Sequence, residues 1–277
     1  MIQIVTDSTA DLGRVIADRS HIKIIPLSVL IGDETYLDGV NIDQAKLFEL
    51  VKKTGKLPKT AAPTLKDFYS VFKESDEVIF IGISSKLSST VQNAILTAKE
   101  FPDGKVRVID SLNLSSGIGL LALAAGDLRD KGLAAAEIEK EITRRLPNTR
   151  MSFMIDTMEY LYKGGRCSAL QSIFGSMLKI HPIIEMLPDG TLGVKDKAYG
   201  SRKKSMNLLL QDFEKHLDEL DTRRVFITHT SSDEDAKYLK EEIERIAHPR
   251  EVLITRAGSV ISSHCGPGTI GILYMVK

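Results

Sequence analysis

The chain reads EVIFIGISSKLSST from residue 77 to residue 90. Residues 77–83 consist mostly of β-branched and aromatic side chains, which predicts a buried strand. Apolar side chains then recur at helical spacing, which predicts a helix over residues 90–99. A buried strand that leads through a short polar turn into a helix is the repeating unit of a parallel α/β sheet. This stretch therefore decides the fold class of the N-terminal half.

The polar turn in this stretch is also a candidate binding site. Ser88 and Ser89 come just before the predicted helix, whose free backbone N–H groups and dipole favour a carboxylate or a phosphate. The alternative is that the two serines only cap the helix. Two more hydroxyl-rich turns, TDST at residues 6–9 and SSHCGPG at residues 262–268, lie beside apolar strands. Three such turns indicate a small anionic head group that is held by neutral donors.

Composition limits the possible partners. The 277 residues are 43% hydrophobic, enough for two domains with real cores, and 37 basic and 37 acidic side chains give zero formal net charge. This balance argues against nucleic acid as a partner. The longest apolar stretch, residues 118–125, is too short to span a bilayer, and no basic region precedes the apolar N-terminus, so we expect a cytoplasmic protein without a membrane span. Cys167 and Cys265 match no zinc or redox spacing and are expected to be free thiols.

Strands and helices are predicted to alternate through the first 148 residues. The predicted strands cover residues 2–6, 22–29, 77–83 and 105–110, and the predicted helices cover residues 10–18, 44–53, 65–74, 90–99, 114–128 and 133–145. Thr64 and Asp67 form a capping-box pattern at one helix start, so the preceding residues 57–63 are expected to be an exposed loop. The alternation predicts a doubly wound, largely parallel sheet, in which ligands bind beyond the C-terminal ends of the strands.

The pattern changes at Pro147-Asn148-Thr149, and we place a domain boundary between residues 148 and 149. Residues 149–277 have an α+β pattern with an antiparallel hairpin that turns at residues 188–190. The sequence thus predicts an α/β protein of two domains, 1–148 and 149–277, with the ligand in the cleft between them. A helix that begins near Ser201 carries Arg202, Lys203 and Lys204 at its start, where cations are electrostatically misplaced, which indicates an anionic neighbour. The alternative is that these side chains are simply solvated on an exposed turn.

Catalytic motifs are largely missing from the sequence. There is no Gly-x-Ser-x-Gly nucleophile elbow, no pair of histidines with metal-ligand spacing, and no glycine loop that would cradle a nucleotide phosphate. We therefore expect no bound metal. His264 stands out because it lies between two serines and a Gly-Pro-Gly turn. A stand-alone serine esterase that uses Ser88 and His264 remains an alternative, as does a carrier of a small phosphorylated metabolite.

Seven ordered motifs carry a family resemblance. They are IVTDSTADL (4–12), IPLS (25–28), TAAP (60–63), ISSKLSST (83–90), VIDS (108–111), LYKGGR (161–166) and HCGPG (264–268). In this respect the chain resembles the DegV family over nearly its whole length. The resemblance implies a two-domain α/β fold that binds a long-chain fatty acid and serves as the acyl-binding subunit of a fatty acid kinase. It also implies that a separate kinase subunit binds ATP and Mg²⁺, with no cofactor on this chain.

The resemblance assigns site residues by motif. The carboxylate-binding threonine, serine and histidine of the family fall on Thr60, Ser88 and His264. Next to each lies a departure from the family pattern: Ala61 stands in place of serine, Ser89 in place of glycine, and Cys265 in place of threonine.

Two further groups complete the assignment. Arg166, Arg202 and Asp38 match positions near the phosphoryl-transfer or partner face. For the acyl tunnel, a strongly apolar predicted helix offers Ile173, Phe174 and Met177, which would otherwise be ordinary core residues.

Overall fold

The computed structural model describes residues 1–166 and 180–277. Its strands are β1 Ile2–Asp7, β2 Ile22–Ile25, β3 Ser28–Ile31, β4 Glu34–Leu37, β5 Lys59–Ala61, β6 Glu77–Gly82, β7 Val106–Asp110, β8 Thr149–Met154, β9 Ile180–Met186, β10 Leu192–Tyr199, β11 Leu220–His229, β12 Val252–Arg256 and β13 Ile270–Val276. Its α-helices are α1 Gly13–Arg19, α2 Gln44–Thr54, α3 Leu65–Phe72, α4 Thr90–Ala98, α5 Ser116–Asp130, α6 Ala135–Arg145, α7 Glu159–Lys163, α8 Arg202–Glu214, α9 Asp233–Ala247 and α10 Ser259–Cys265. None of these helices is long and apolar enough to cross a membrane.

The described strands form three sheets. The first is parallel, in the order β2-β1-β6-β7, and its central strand β6 is buried along almost its whole length, as expected for a parallel sheet covered on both faces. The second has the order β10-β9-β8-β13-β11-β12 and is antiparallel except for the β11–β12 pair. The predicted fold class, a parallel N-terminal sheet followed by a second α/β unit, is confirmed.

Helix α5 joins the two larger sheets. It packs against β1 and β6 of the first sheet and against β8, β11 and β13 of the second. Its sequence is rich in Gly and Ala, so neighbouring backbone approaches closely: a Cβ on Gly119 would lie 3.0 Å from the carbonyl oxygen of Ala10. One continuous hydrophobic core therefore includes side chains from both sheets. The second sheet begins at Thr149 with β8, while the boundary between residues 148 and 149 stays a prediction.

The third sheet, in the order β4-β3-β5, corrects two expectations. Residues 22–29 are not one strand, because Pro26 has no N–H to continue the ladder, and the chain passes from β2 in the parallel sheet to β3 in the small one. Residues 57–63 are not only a loop, because residues 59–61 form β5, which pairs with β3. The capping box that was predicted next to them is confirmed: the Asp67 N–H donates to Thr64 Oγ1, and the Thr64 N–H donates to Asp67 Oδ2.

The last helix, α10, packs against the small sheet. It contacts β3, β5, α2 and α7, and its Val260 joins an apolar cluster with Leu27 and Val29. The interpretation of residues 262–268 as a single turn is wrong for residues 262–265, which belong to this helix. The small side chains of Ser262 and Ser263 are buried there, which allows α10 to lie close to its neighbours.

Candidate functional site

One cavity of about 380 Å³ lies between β5, the start of α4, the end of α7 and α10. Its volume is within the range of small-molecule sites in proteins. Most of its lining is apolar, with Leu27, Ile83, Leu87, Leu114, Leu161 and Ile261 among the contributors. Polar side chains also line it, among them Thr60 of β5, Ser88 at the start of α4 and His264 of α10. The cavity is thus a largely apolar space with a few convergent hydroxyl and imidazole groups.

Thr60 and His264 form a hydrogen-bonded pair. Thr60 lies in the middle of β5, opposite Val29 of β3, and His264 lies in the last turn of α10. Thr60 Oγ1 is 2.8 Å from His264 Nε2, although the two residues are 204 positions apart in the sequence. The pairing of β5 with β3 and the packing of α10 against both strands fix this contact. The position of the Thr60 hydroxyl group is therefore set by the tertiary fold.

His264 is electrically neutral at physiological pH. Burial and the nearby Arg166 guanidinium lower the pKa of its imidazole to about 4. A position at a helix C-terminus would favour the charged form by about 0.3–1 kcal/mol, whereas the displacement from 6.5 to about 4 corresponds to about 3 kcal/mol in the opposite direction. Burial therefore outweighs the helix dipole.

Ser88 lies at the start of α4. Its Oγ is 2.8 Å from Thr90 Oγ1 and accepts a bond from the Thr90 N–H at 3.3 Å. The helix-cap alternative is thus partly realised, and the hydroxyl group still lines the cavity. Ser89 is the N-cap residue but makes no side-chain capping bond. An anion in the cavity would therefore meet a hydroxyl group and the positive end of a nine-residue helix.

Four further predicted residues line the same cavity: Arg166, Ala61, Ser89 and Cys265. The guanidinium of Arg166 donates to the carbonyl oxygens of Gly164 at 2.7 Å and Leu87 at 3.3 Å, and its side chain remains exposed. It is a cation at the edge of the cavity. Burial raises the pKa of the Cys265 thiol to about 12, so this thiol is a small apolar neighbour rather than a nucleophile.

Asp38 lies at the opposite end of α10, outside this cavity. It is 3% exposed, and its Oδ1 accepts the backbone N–H of Ser259 at 2.6 Å. Beside it Asp11 accepts the N–H of Gly258 at 2.7 Å and the hydroxyl of Ser115 at 2.6 Å. Burial raises the pKa of Asp38 to about 6 and that of Asp11 well above its usual value. These carboxylates hold the start of the helix that carries His264.

Arg202 also lies away from the cavity. Its guanidinium pairs with Asp235 and Asp156, each at 2.6 Å, and donates to the carbonyl oxygen of Gly268 at 2.7 Å. The predicted anionic neighbour of this helix start is therefore a pair of carboxylates of the same chain. Through Gly268 the side chain holds the loop that follows His264. The tunnel candidates Ile173, Phe174 and Met177 fall outside the described residues.

A family model described as "Uncharacterised protein, DegV family" matches residues 1–277. The chain belongs to the DegV family. Among its relatives is the DegV domain-containing protein YteA of Lactococcus lactis, which is 32% identical over 287 residues that cover 99% of this chain and 98% of YteA. The resemblance predicted from the seven motifs is confirmed.

Solved structures of DegV proteins have the same fold. The structure described as "Fatty Acid Binding of a DegV family Protein from Thermus thermophilus" superposes with a TM-score of 0.93 at 31% identity, over 100% of this chain and 99% of the other. The Streptococcus pneumoniae Fatty Acid Kinase (Fak) B3 protein, solved loaded with linoleic acid, superposes with a TM-score of 0.88 over 100% of both chains. At 24% identity the second likeness shows the fold alone.

The geometry of this DegV chain does not assemble a serine hydrolase site within the described residues. Ser88 Oγ hydrogen-bonds Thr90, whereas His264 Nε2 hydrogen-bonds Thr60. His264 Nδ1 has no carboxylate partner in residues 1–166 or 180–277. A nucleophilic serine needs an adjacent base that a third group orients, and neither contact is made here.

Sequence reasoning missed Asp11 and Gly164. Asp11 joins the starts of α5 and α10, and Gly164 packs directly against the imidazole of His264. Asp11 belongs to a polar stretch with several equivalent side chains, so no local signal singles it out. Gly164 follows the last residue of α7, and its N–H donates to the carbonyl oxygen of Tyr160 at 2.9 Å. Its second contact depends on the tertiary fold.

Proposed function

We propose that this DegV protein binds a long-chain fatty acid in the cavity of Thr60, Ser88 and His264 and presents the carboxylate to a separate kinase subunit. The kinase would bind ATP and Mg²⁺ and form the acyl phosphate, while this chain carries the lipid and no cofactor. The observation that carries the proposal is the convergence of two hydroxyl groups and a neutral imidazole on one apolar cavity. The fatty-acid-binding description of the Thermus thermophilus relative supports the choice of ligand.

The apolar lining accounts for affinity and the polar groups for orientation. Burying a dozen methylenes at about 0.8 kcal/mol each gives roughly 10 kcal/mol before the costs of binding. A hydrogen bond to a charged group contributes about 1.5–3 kcal/mol. The hydroxyl groups of Thr60 and Ser88 are suited to a carboxylate because they donate without adding charge. The neutral state of His264 fits this arrangement, because a buried imidazolium would trap the carboxylate as an ion pair.

The second part of the proposal is the kinase partner. It is supported by the seven-motif resemblance and by the placement of Arg166, an exposed cation at the edge of the cavity. A cation there would attract the terminal phosphate of a nucleotide and stabilise charge that develops during transfer. We place the protein in the cytoplasm, where a kinase subunit would have access to ATP.

Native mass spectrometry of the purified protein tests the ligand. A co-purified mass equal to that of a long-chain fatty acid is the expected result. A phosphorylated metabolite in its place, or no retained mass together with turnover of an activated ester that depends on Ser88, would favour the other two hypotheses and contradict ours.

Reconstitution tests the kinase partnership. The protein, labelled fatty acid, ATP and Mg²⁺ should give acyl phosphate only when a fatty acid kinase subunit is added. Acyl phosphate formed by the purified chain alone would contradict the division of labour. Ser85→Ala is a matched control for changes at Ser88, because Ser85 is an exposed serine of the same turn and does not line the cavity.

A further inference from the structure

Gly164 and Gly165 are adjacent glycines with different structural requirements. Gly165 has φ +70°, and apart from its chain neighbours no atom of the described residues lies within 4 Å of the position that a Cβ would take, so a glycine is required there by backbone conformation. Gly164 is the C-cap of α7 with φ −72°, which any residue can adopt. A Cβ on Gly164 would lie 2.5 Å from His264 Nδ1 and 2.8 Å from the carbonyl oxygen of Tyr160. Gly164 is therefore required by space, and the imidazole is its nearest obstacle.

We propose that Gly164 is a positioning residue that keeps the proton of the neutral His264 ring on Nε2, because its bare Cα packs against Nδ1. This inference rests on the proposed fatty-acid site for its functional consequence. The proton position itself does not depend on that function and is measurable without a lipid.

The contacts of the two ring nitrogens decide between the tautomers. Nδ1 is enclosed, with no hydrogen-bond partner among the described residues, and Gly164 occupies one side of it. A proton on Nδ1 would be a buried N–H that points at C–H groups, which costs a full unmade hydrogen bond. An unprotonated Nδ1 instead presents a lone pair to the Cα–H of Gly164, which is a weak attraction. The favoured neutral ring therefore carries its proton on Nε2, 2.8 Å from Thr60 Oγ1.

This proton position sets the direction of the Thr60 hydroxyl. When Nε2–H donates to Thr60 Oγ1, the hydroxyl proton of Thr60 points away from the ring and is free to donate to a carboxylate. In the other tautomer, Nε2 would accept that proton and Thr60 would present only lone pairs to an anion. Gly164 thus makes Thr60 a donor, as a carboxylate requires.

Histidine-labelled, delipidated protein tests the proton position by ¹⁵N NMR. We expect an unprotonated signal for Nδ1 of His264 and a protonated one for Nε2, and the reverse assignment would overturn the proposal. Gly164→Ala should displace the ring and alter both signals. Gly165→Asn is the matched control, since asparagine tolerates positive φ, and it should leave them unchanged.

A double-mutant cycle separates positioning from simple damage to α7. In the wild-type background Gly164→Ala should weaken fatty acid binding roughly tenfold or more, because it removes one oriented donor to a charged group. In the His264→Ala background the added methyl group has no ring to displace, although it still meets the carbonyl oxygen of Tyr160, so the same change should weaken binding much less. Equal losses in both backgrounds would assign the effect to the helix and overturn the proposal. If no variant binds a fatty acid, the proposed function fails, and the NMR experiment still decides the proton position.

Discussion

At its N-terminal end α10 is held by Asp11 and Asp38, which accept the N–H groups of Gly258 and Ser259. At its C-terminal end the imidazole of His264 hydrogen-bonds Thr60 and faces a cavity. The carboxylates at the start complement the positive end of the helix and satisfy donors that have no partner within it. The imidazole at the end is kept neutral against the preference of the dipole. The first end is built to hold the helix, and the second is built to leave polar groups available to a ligand.

This difference predicts that changes at the two ends have different consequences. A change at the cavity end should alter binding and phosphoryl transfer while the protein remains folded. A change at the carboxylate end should lower the free energy of unfolding first. A change at the cavity end that mainly lowers stability, or a change at the carboxylate end that mainly alters binding or transfer, would contradict this difference.

The largest expected effect belongs to His264→Ala. Loss of the imidazole leaves the Thr60 hydroxyl without its orienting partner, so the carboxylate is no longer held for attack on the phosphate. The kinase-dependent rate should fall by roughly 10²–10⁴-fold, while co-purified fatty acid remains detectable because the tail supplies most of the affinity. Rates are measured with saturating fatty acid, and His216→Ala, outside the cavity, is the control. Normal transfer together with lost lipid would assign His264 to binding alone.

Asp11→Ala should have the next largest effect, on stability. It leaves the buried Ser115 hydroxyl and the half-buried Gly258 N–H unpaired, and each unmade bond costs about 1–3 kcal/mol. The variant also no longer buries a carboxylate, and the desolvation cost saved offsets part of this loss, so we expect the free energy of unfolding to fall by about 2–4 kcal/mol. Urea denaturation with an unchanged slope measures it. Asp18→Ala, which removes an exposed carboxylate of α1, should cost far less.

An unchanged urea midpoint in Asp11→Ala would show that the start of α10 is not held by this carboxylate. A normal midpoint combined with weak fatty acid binding would show that Asp11 contributes to binding and does not hold the start of α10.

The sequence predicted much of this arrangement but not the contacts. The strand of β6 and the start of α4 have strong local patterns, so the position of Ser88 at a helix N-terminus could be predicted directly. Thr60 was identified only through the family motif, because β5 has three residues and no apolar alternation. Its bond to His264 joins positions 204 residues apart and depends on how β5 pairs with β3, which no local pattern specifies.

The roles of Asp38 and Arg202 show the same limit. Motif matching placed both near the phosphoryl-transfer or partner face. The structure shows each in a network that supports the α10 segment, Asp38 through the N–H of Ser259 and Arg202 through the carbonyl oxygen of Gly268. Their part in phosphoryl transfer or partner binding stays a prediction.

Ser88→Ala should have a smaller effect, confined to affinity. The change removes one donor to a charged carboxylate while the tail contacts remain, which corresponds to about 1.5–3 kcal/mol, or roughly 10- to 150-fold in the dissociation constant. Isothermal titration with a soluble fatty acid measures it, with Ser85→Ala as the control. Thr60→Val should give a loss of similar size. Unchanged dissociation constants in both variants, with intact circular dichroism, would remove these hydroxyl groups from the carboxylate site.

The smallest expected effect is on the pH dependence of stability, because the two ends of α10 respond to acid in opposite directions. The folded-state pKa of His264, about 4, lies below its usual 6.5, so between these values the unfolded chain binds a proton that the native protein does not. Its contribution to stability is therefore lost as the pH falls from 6.5 to 4. The folded-state pKa of Asp38, about 6, lies above its usual 3.8, so the native protein binds the extra proton in the window between them. Its contribution to stability grows as the pH falls.

Each of these two contributions amounts to about 3 kcal/mol, and their signs are opposite, so the contributions of His264 and Asp38 nearly offset each other. Single variants should separate them. From pH 6.5 to pH 4, His264→Ala should gain stability relative to the wild type and Asp38→Asn should lose it, as measured by urea denaturation of delipidated protein. Burial also raises the pKa values of Asp7 and Asp11, which lie near Asp38, so these carboxylates add to the response of the N-terminal end and leave its sign unchanged. If the free energy of unfolding changes with pH in the same way in the two variants, the charge states at the ends of α10 are not those derived from burial. The difference between the N-terminal and the C-terminal end of α10 would then rest on hydrogen bonding alone.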